Sequence, residues 1–429
     1  MNHQTIEKVP HLTTALTGPL QELEKHLLDN QIQIEAWLRK QWRITPPPFY
    51  SSVDLRNAGY KIAPVDTNLF PAGFNNLNPS FMPLSIQATQ STMDKLFPGC
   101  LRVLLIPENH TRNINYFENI SILIDILSKS GLEVRVGSLL PELNEAKTIS
   151  LPSGRSFLLE PIVRQGNRLG VKDFSACFIL LNNDLSDGIP EILQGIEQTI
   201  MPALKLGWSH RLKSNHFSHY RKISEEFAEL IKIDPWLINP IFSQCDEVNF
   251  LKREGEECLM HNIDAVLTAV KKKYKEYNIN HKPFVVVKAE SGTYGMGILI
   301  VHDASEISSL NRKERTRMAT SKGKKPITQV MIQEGVYTFE TWGEKQAVAE
   351  PVVYMIGQYV VGGFYRIHME RGVSDNLNSP GMEFKPLAFV DCCNNPDLSE
   401  HPNNYLNRFY TYGVVARLAM LAAARESTE

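Results

Sequence analysis

The sequence predicts a mixed α/β (α+β) protein with more than one sheet, and three observations lead to that class. From Leu101 onward the apolar runs LRVLLIP, LEVRVGS and FSACFILLNND alternate with a helical stretch at Asn115 to Lys129, the pattern of a βα-layered, Rossmann-like unit. A second sheet-rich segment opens with the strand Phe284 to Lys288 and runs to about Leu387. The 429 residues exceed the roughly 100 to 200 expected of one domain, and a hydrophobic content of 43% suffices for sizeable cores.

Residues 16 to 43 place Leu20, Leu23, Leu27, Ile34, Trp37 and Leu38 at helical spacing, which predicts an N-terminal helical arm. It ends before Pro46-Pro47-Pro48, because consecutive prolines cannot continue a helix, so residues 1–48 form the first unit. Phe49 to Phe81 is dense in Asn, Asp, Pro and Gly yet holds strand-like pieces such as Tyr60 to Val65; 49–100 is read as an ordered segment joining the later core. The βα-layered unit covers 101–205, and 206–429 forms the last region. A helical stretch from about Pro190 to Tyr277 is interrupted at Pro202, Pro235 and Pro240. The basic stretch from Arg312 to Lys325 reads as a solvated mobile loop, and Tyr405 to Arg425 as an amphipathic Ala/Leu-rich helix.

Charge excludes several roles. With 45 Lys+Arg against 47 Asp+Glu the net charge is −2, so no global field favours nucleic acid or acidic membranes. The basic stretch lacks interleaved aromatics for base stacking. No apolar run approaches the roughly 18 residues of a membrane span, and Met1 to Leu12 lacks a signal pattern, so a cytoplasmic protein is expected. The six cysteines show no CxxC pair and are read as reduced structural thiols, with the vicinal Cys392-Cys393 either packed or redox-active.

The chemistry concentrates in residues 284–301, FVVVKAESGTYGMGILIV. An apolar strand ends in Lys288, a turn carries Ser291, Gly292, Tyr294, Gly295 and Gly297, and a second strand follows. Glycines let backbone N–H groups approach an anion, and the lysine supplies a point charge, so this reads as a phosphate lid; the alternative is a tight hairpin with a structural lysine. It is neither a P-loop nor a dinucleotide fingerprint, since no helix follows. A strand from Gln329 to Gln333 leads into Glu334-Gly335-Val336, where exposed backbone at a strand end can bond an adenine edge. A hairpin of Val352 to Met355 and Gln358 to Ile367 carries Arg366 outward, followed by Asn376 and Asn378. Arg366 suits bidentate contact with phosphate, or is a plain surface charge.

In that order these elements resemble the ATP-grasp ligases. The segment SVDLRNAGYKIAPVDTNLFPAGFNNL is similar to the early segment of eukaryotic glutathione synthetases, whose carboxylate-x-Asn metal motif comes first, a permuted order. Over nearly its whole length, through VDTNLFPAGFNN, LLNNDLSDG, KAESGTYGMG and NLNSPG, the chain resembles the proteobacterial glutamate–cysteine ligase family. The resemblance implies an ATP-grasp fold and an ATP- and Mg²⁺-dependent ligation of L-glutamate to L-cysteine through an acylphosphate. It implies Asp66, Asn68 and Glu290 as metal ligands, although Glu290 lies two residues after Lys288 where the pattern has four. In an extended strand, residues i and i+2 share a face, so Asp66 and Asn68 can offer two oxygens to one cation; the alternative is an Asx turn.

Lys213, in GWSHRLKSNHFSHY, matches a second phosphate-binding lysine, and His210, His216 and His219 read as surface or channel residues rather than zinc ligands. Arg56, with Asp54 and Asn75, is assigned to the amino-acid substrates, a solvated loop arginine being the other reading. Lys288 and Arg366 are the catalytic candidates; Lys213, Ser291, Gly292, Tyr294, Gly295, Gly297, Gln333, Glu334, Val336, Asn376 and Asn378 are the nucleotide-binding ones. Partners are small molecules, with a homo-oligomer open. Two other functions fit the same motifs: a glutathione synthetase or other amino-acid ligase, and a non-catalytic ATP-binding regulator.

Overall fold

The helical arm is two helices rather than one, because the chain turns at Asn30, whose side chain donates to the His26 carbonyl. In the computed structural model, which describes residues 12–13, 18–109, 113–291, 297–320, 326–387 and 408–428, the chain opens with strand β1 (Leu12–Thr13) and helices α1 (Pro19–Asp29) and α2 (Gln31–Ile44). Leu20, Leu23 and Leu27, then Ile34, Leu38 and Trp42, recur every three or four residues and bury one face of each helix.

The antiparallel hairpin β2 (Tyr50–Asn57) and β3 (Ile62–Asn68) follows the prolines, then α3 (Met82–Leu96). The layered unit begins with β4 (Arg102–Pro107), α4 (Ile114–Lys129) and β5 (Glu133–Ser138). It continues through β6 (Lys147–Ser150), β7 (Ser156–Pro161), the small antiparallel set β8 (Val163–Gln165), β9 (Arg168–Val171) and β10 (Phe174–Ser175), and β11 (Phe178–Asn182) and β12 (Thr199–Met201). Its sheet runs β12-β11-β4-β5-β7 in parallel with β6 as an antiparallel edge. The fully buried runs VLLIP and FILLN suit parallel strands covered on both faces.

The segment read as helical from 190 to 277 holds α5 (Lys213–Ile231) and α6 (Glu256–Glu276) separated by strand β13 (Phe242–Cys245). Strands β14 (Val285–Ala289) and β15 (Ile298–Val301) form a hairpin, and after α7 (Arg312–Ala319) β16 (Val330–Glu334) completes an antiparallel sheet in the order β13-β16-β14-β15. The first part of the expected basic loop is thus the helix α7, started by a capping box in which Asn311 and Glu314 satisfy each other's backbone amides; residues 321–325 lie outside the described residues. Capping chemistry outweighed net charge there.

A third sheet combines the two ends of the chain. The short β17 (Thr341–Trp342), the long hairpin β18 (Ala347–Ile356) and β19 (Tyr359–His368), and β20 (Glu383–Pro386) pair in sequence, β1 pairs with β17, and β2 adds to β18. Alternation along β18 divides two cores: Val353 and Met355 pack toward α1, α2 and α5, whereas Val352, Tyr354 and Ile356 pack toward α3 and the parallel sheet.

Helix α8 (Arg408–Thr428) departs from the amphipathic expectation. Tyr412, Val414, Val415, Ala416, Leu418, Ala419, Met420, Leu421, Ala422, Ala423 and Ala424 are all fully buried, because the helix packs among α1, α5 and strands β2, β3, β18 and β19. Small alanines let neighbouring backbones approach it closely, and a helix apolar on all sides belongs inside. A second departure concerns the thiols. Cys100 and Cys177, 77 residues apart in sequence, are joined as a disulfide, brought together where the parallel pairing of β4 with β11 begins. Cys392 and Cys393 lie outside the described residues, in which no helix is long and apolar enough to cross a membrane.

Leu418→Ala should destabilise the fold by about 2–5 kcal/mol, the cost of an unfilled core cavity. Urea unfolding measures it, and an unchanged midpoint would contradict the central position of α8.

Candidate active site

Period-two alternation creates the site. Val285, Val287, Leu299 and Val301 point into the core beneath α6, which turns Val286, Lys288, Ile298 and Ile300 to the opposite face of the same hairpin. That face looks across a cleft at the third sheet, where Asp54 and Arg56 on β2, Asp66 on β3, Glu350 on β18 and Arg366 on β19 project inward. Gln333, Glu334 and Val336, and Ser374, Asn376 and Asn378, complete the lining of the cleft. Asp54, Asp66, Arg366 and Asn378 also line a second cavity. Its far wall is made by Glu108, Asn182 and Asp184, at and just beyond the carboxyl ends of β4 and β11, where open parallel sheets take ligands.

The residues between the two cavities are charged, buried and paired. Cross-strand registers put Arg366 opposite Glu350 and Asp54 opposite Asp66. Arg366 donates from Nη1 to Glu350 Oε1 and, at 2.9 Å, to Asp54 Oδ2; Arg56 donates from Nε to Glu350 Oε2 at 3.2 Å. Burial, then repulsion from Glu350 and Asp66, pushes the Asp54 carboxyl upward against the pull of Arg366. Burial works against the Arg366 charge, but Asp54 and Glu350 hold it firmly protonated. The expected outward arginine is therefore 8% exposed and turned into the site, because its own strand is interior.

Lys288 donates from Nζ to the Val65 carbonyl at 2.8 Å and to Gln333 Oε1 at 2.7 Å. Burial, with Lys213 and Arg56 nearby, brings it down to about 8 although Asp66 and Asp54 oppose the shift. Lys213 opens α5; its Nζ contacts the Glu290 carbonyl at 3.4 Å and lies 4.3 Å from the Trp208 ring centroid, and burial lowers it too. Two desolvated lysines beside one cleft are a strong attraction for an anion.

Asp66 and Asn68 both line the second cavity. Asn68 also makes the Asx turn, Oδ1 accepting from Phe70 N at 2.9 Å, which leaves that oxygen a second lone pair. Glu290 lines neither cavity: its Oε2 accepts from Ser214 N at 2.9 Å, and its Oε1 has no partner among the described residues. No cluster of three or more His, Cys, Asp or Glu forms a metal cage among the described residues. The Asp66 carboxylate with the neighbouring Asn68 amide oxygen is a hard-oxygen set that fits Mg²⁺, an ion usually held by one or two carboxylates with phosphates completing its shell.

Of the other expected residues, Asn376 and Asn378 line the first cavity and Asn75 the second. Ser291 follows β14 and Gly297 precedes β15, whereas Gly292, Tyr294 and Gly295 lie outside the described residues. Gly297 has φ +64°, and a Cβ there would come within 2.8 Å of Ile327, so both backbone and space call for glycine. Arg56 is placed on the wall of the first cavity rather than the second, its donors spent on Glu350 and on the carbonyls of Val336 and Asp375. The Glu334 carboxylate is taken up in a fully buried pair with Lys61 at 3.0 Å.

Sequence reading missed Lys61, Glu350, Trp208 and a buried triad. Arg211 and His216 both bond Glu426 of α8, Arg211 Nη1 donates to the Thr67 carbonyl, and His216 Nε2 meets Thr67 Oγ1. Thr67 separates Asp66 from Asn68 and points the other way, so the triad grips the back of the strand that presents them. His216, expected on a surface or channel, is instead 2% exposed. Burial works against Glu426, yet Arg211 holds its carboxyl at about 2, while burial keeps His216 low and neutral. A lone Glu in the apolar run AVAEPVVYMI was a readable signal for Glu350. Nothing in the sequence singled out Glu426.

Anion-attracting lysines in one cavity, joined through an arginine and carboxylates to a polar second cavity, make a site for ATP-dependent ligation. The glutamate-cysteine ligase family model (GshA) matches residues 24–427, and the chain belongs to that family, whose reaction joins glutamate to cysteine in glutathione biosynthesis. The chain is also similar to a solved structure described as a gamma-glutamylcysteine synthetase from Methylobacillus flagellatus KT: 56% identity, 97% of this chain and 98% of that one, TM-score 0.89. A D-alanyl-alanine synthetase A from Vibrio cholerae (11% identity, 74% and 81% of the chains, TM-score 0.33) is too distant in shape to carry an argument. The same holds for a glutathione synthetase-like effector from Globodera pallida (10% identity, 81% and 77%, TM-score 0.36). No curated protein matches.

Glu426→Ala strands the Arg211 charge and should cost about 3–5 kcal/mol, measured by denaturation. Because the folded carboxyl lies at about 2, below its ordinary 4.5, the stability that Glu426 adds is present above pH 4.5 and is lost as pH falls through 2. The parent's acid unfolding should therefore be steeper over that window than that of Glu426→Gln.

Proposed function

We propose that the protein carries out glutamate–cysteine ligation on an ATP-grasp plan in permuted order, with ATP in the first cavity and the amino acids in the second. The observation that supports this most is the sharing of Asp54, Asp66, Arg366 and Asn378 by both cavities, which gives a phosphoryl donor and a carboxylate acceptor one meeting point. Val286, Ile298 and Ile300 suit the faces of an adenine ring, and the backbone from Glu334 to Val336 suits its edge. Lys213 and Lys288 hold phosphate oxygens, and Asn376 and Asn378 add neutral donors.

Ligation in two halves needs no protein nucleophile. The γ-carboxylate of glutamate attacks the terminal phosphate, giving an acylphosphate and ADP; the amine of cysteine then displaces phosphate, losing a proton as the amide forms. Positioning and charge neutralisation are the protein's tasks, as is general in phosphoryl transfer. Arg366 already carries a charge fixed by Asp54 and Glu350, so it needs no reorganisation to meet charge building on the transferred group. Asp66 and Asn68 are the residues that would hold Mg²⁺, which neutralises phosphate charge when bound. Glu290 serves instead to orient Lys213 through the start of α5, and Arg56 to fix Glu350. Asn75 and the far wall of the second cavity receive the amino-acid ends. Excluding water protects the acylphosphate from hydrolysis.

Lys288→Ala should lower turnover by about 10² to 10³-fold with the fold intact, the usual cost of one lost transition-state donor. Full activity in that variant would remove the lysine from the phosphate site. Asp66→Ala should raise the Mg²⁺ needed for half-maximal rate about tenfold or more, and an unchanged titration would return Asp66 to a turn role. ADP release with ATP and Mg²⁺ should require glutamate plus cysteine; release with γ-glutamylcysteine plus glycine alone would keep the nucleotide site and change the pathway step.

A further inference from the structure

Outside the active site, one pair of reactive side chains has a geometry that packing alone does not account for. Cys245 ends β13 and is 2% exposed; Cys258 sits in the first turn of α6 and is exposed to solvent. Their sulfurs are 2.7 Å apart. A disulfide bond is about 2.05 Å long, so the separation lies nearer to a bond than to an ordinary contact between two thiols. The chain between them folds back through the Asn249–Glu254 bridge, with Arg253 and Gly255 at positive φ. Asn262, one turn along α6, holds both sides: its Oδ1 accepts from Ser243 Oγ of β13 at 2.6 Å, and its Nδ2 donates to the Cys258 carbonyl at 2.9 Å and lies 3.4 Å from the Cys258 sulfur.

We propose that Cys245 and Cys258 form a reversible dithiol–disulfide pair, a modification site on the edge of the nucleotide-side sheet whose reaction partner is a low-molecular-weight disulfide. The exposed Cys258 gives up its proton and attacks one sulfur of the external disulfide RS–SR. That S–S bond breaks, the first RS⁻ leaves and is protonated, and a mixed disulfide remains on Cys258. Cys245 then loses its proton and attacks the Cys258 sulfur, releasing the second RSH. Two protein thiols are oxidised, one external disulfide is reduced to two thiols, and no other reactant is required.

The order of events follows from burial. Burial, reinforced by the neighbouring Cys258, pushes the Cys245 thiol up to about 12, which makes it the protected partner until Cys258 has reacted. An accessible cysteine beside a resolving one is the general arrangement of redox-sensing thiols. The other described cysteines, Cys100 and Cys177, are bonded to each other. Closing the bond fastens the end of β13 to α6, and β13 pairs with β16, which brings Gln333 to the first cavity.

The test uses the full-length protein in buffers of reduced glutathione and glutathione disulfide at ratios spanning fully reducing to fully oxidising. Samples are quenched with acid, alkylated in denaturant, digested and weighed. The expected result is that Cys245 and Cys258 lose alkylation together and appear as one linked peptide pair lighter by two hydrogens, reversed completely by dithiothreitol. Cys245→Ser should trap one glutathione on Cys258, and Cys258→Ser should leave Cys245 unmodified. A glutathione adduct that persists on Cys258 of the parent protein, alkylation of both residues at every ratio, or glutathione attached to Cys245 in Cys258→Ser would each overturn the proposal. None of these readings depends on ligase turnover, so the outcome stands apart from the assignment of the active site.

Discussion

Two arginines and two carboxylates buried side by side impose the principal constraint on this molecule. Arg56, Glu350, Arg366 and Asp54 form a continuous ionic row across β2, β18 and β19, with a formal charge that sums to zero. Each charge would be costly to bury alone, and removing any one partner leaves another uncompensated. The row can exist only if β2, near the start of the chain, lies beside β18, some 300 residues later. The insertion of the N-terminal hairpin into the C-terminal sheet is therefore tied to the chemistry of the site. It also fixes Asp66, since β3 reaches the cleft only as the partner of β2.

Around that row the architecture is a matter of faces. The β14–β15 hairpin gives alternate residues to a core and to the cleft, so the apolar positions that stabilise the sheet also aim the functional ones. β14 shows this most simply: its valines at 285 and 287 belong to the core under α6, and the intervening 286 and the following Lys288 belong to the cleft. A slip of one residue in register would bury the lysine and expose the valines. Helix α8 plays the corresponding part behind the third sheet, filling the space between β2, β3 and α5 and sending Glu426 back to Arg211 and His216, which hold Thr67. The end of the chain thus braces the strand that presents Asp66 and Asn68.

Most of the places where sequence reading and structure part company share one cause, the neighbours that tertiary structure supplies. Arg366 was expected on a surface because a hairpin read alone has a solvent face; that face is covered here by a second sheet. The tail helix was expected to show one apolar stripe, yet neighbours surround it, and its alanines, neutral in a periodicity count, are what allow the close approach. Cys100 and Cys177 have no informative spacing, because what brings them together is a parallel strand pairing. The α7 helix was obscured by its charge, although the Asn311 and Glu314 capping pair was present in the letters.

By itself the sequence determined what short-range chemistry can encode: the α/β class, helices α4 and α8 and strands β4, β5, β14, β16 and β19 to within a few residues, the Lys288 strand-loop-strand unit, and the paired oxygens of Asp66 and Asn68 on one face. These depend on neighbours within a few positions, where periodicity, turn residues and side-chain type act directly. Tertiary structure alone decided which charges meet. Glu350 with Arg366 and Arg56, Lys61 with Glu334, and Arg211 and His216 with Glu426 are pairings across long stretches of chain. In a sequence each of these residues is an ordinary polar letter. Burial gives each its value, because an ion removed from water must find its counter-ion, and only the folded sheets determine which one stands within reach.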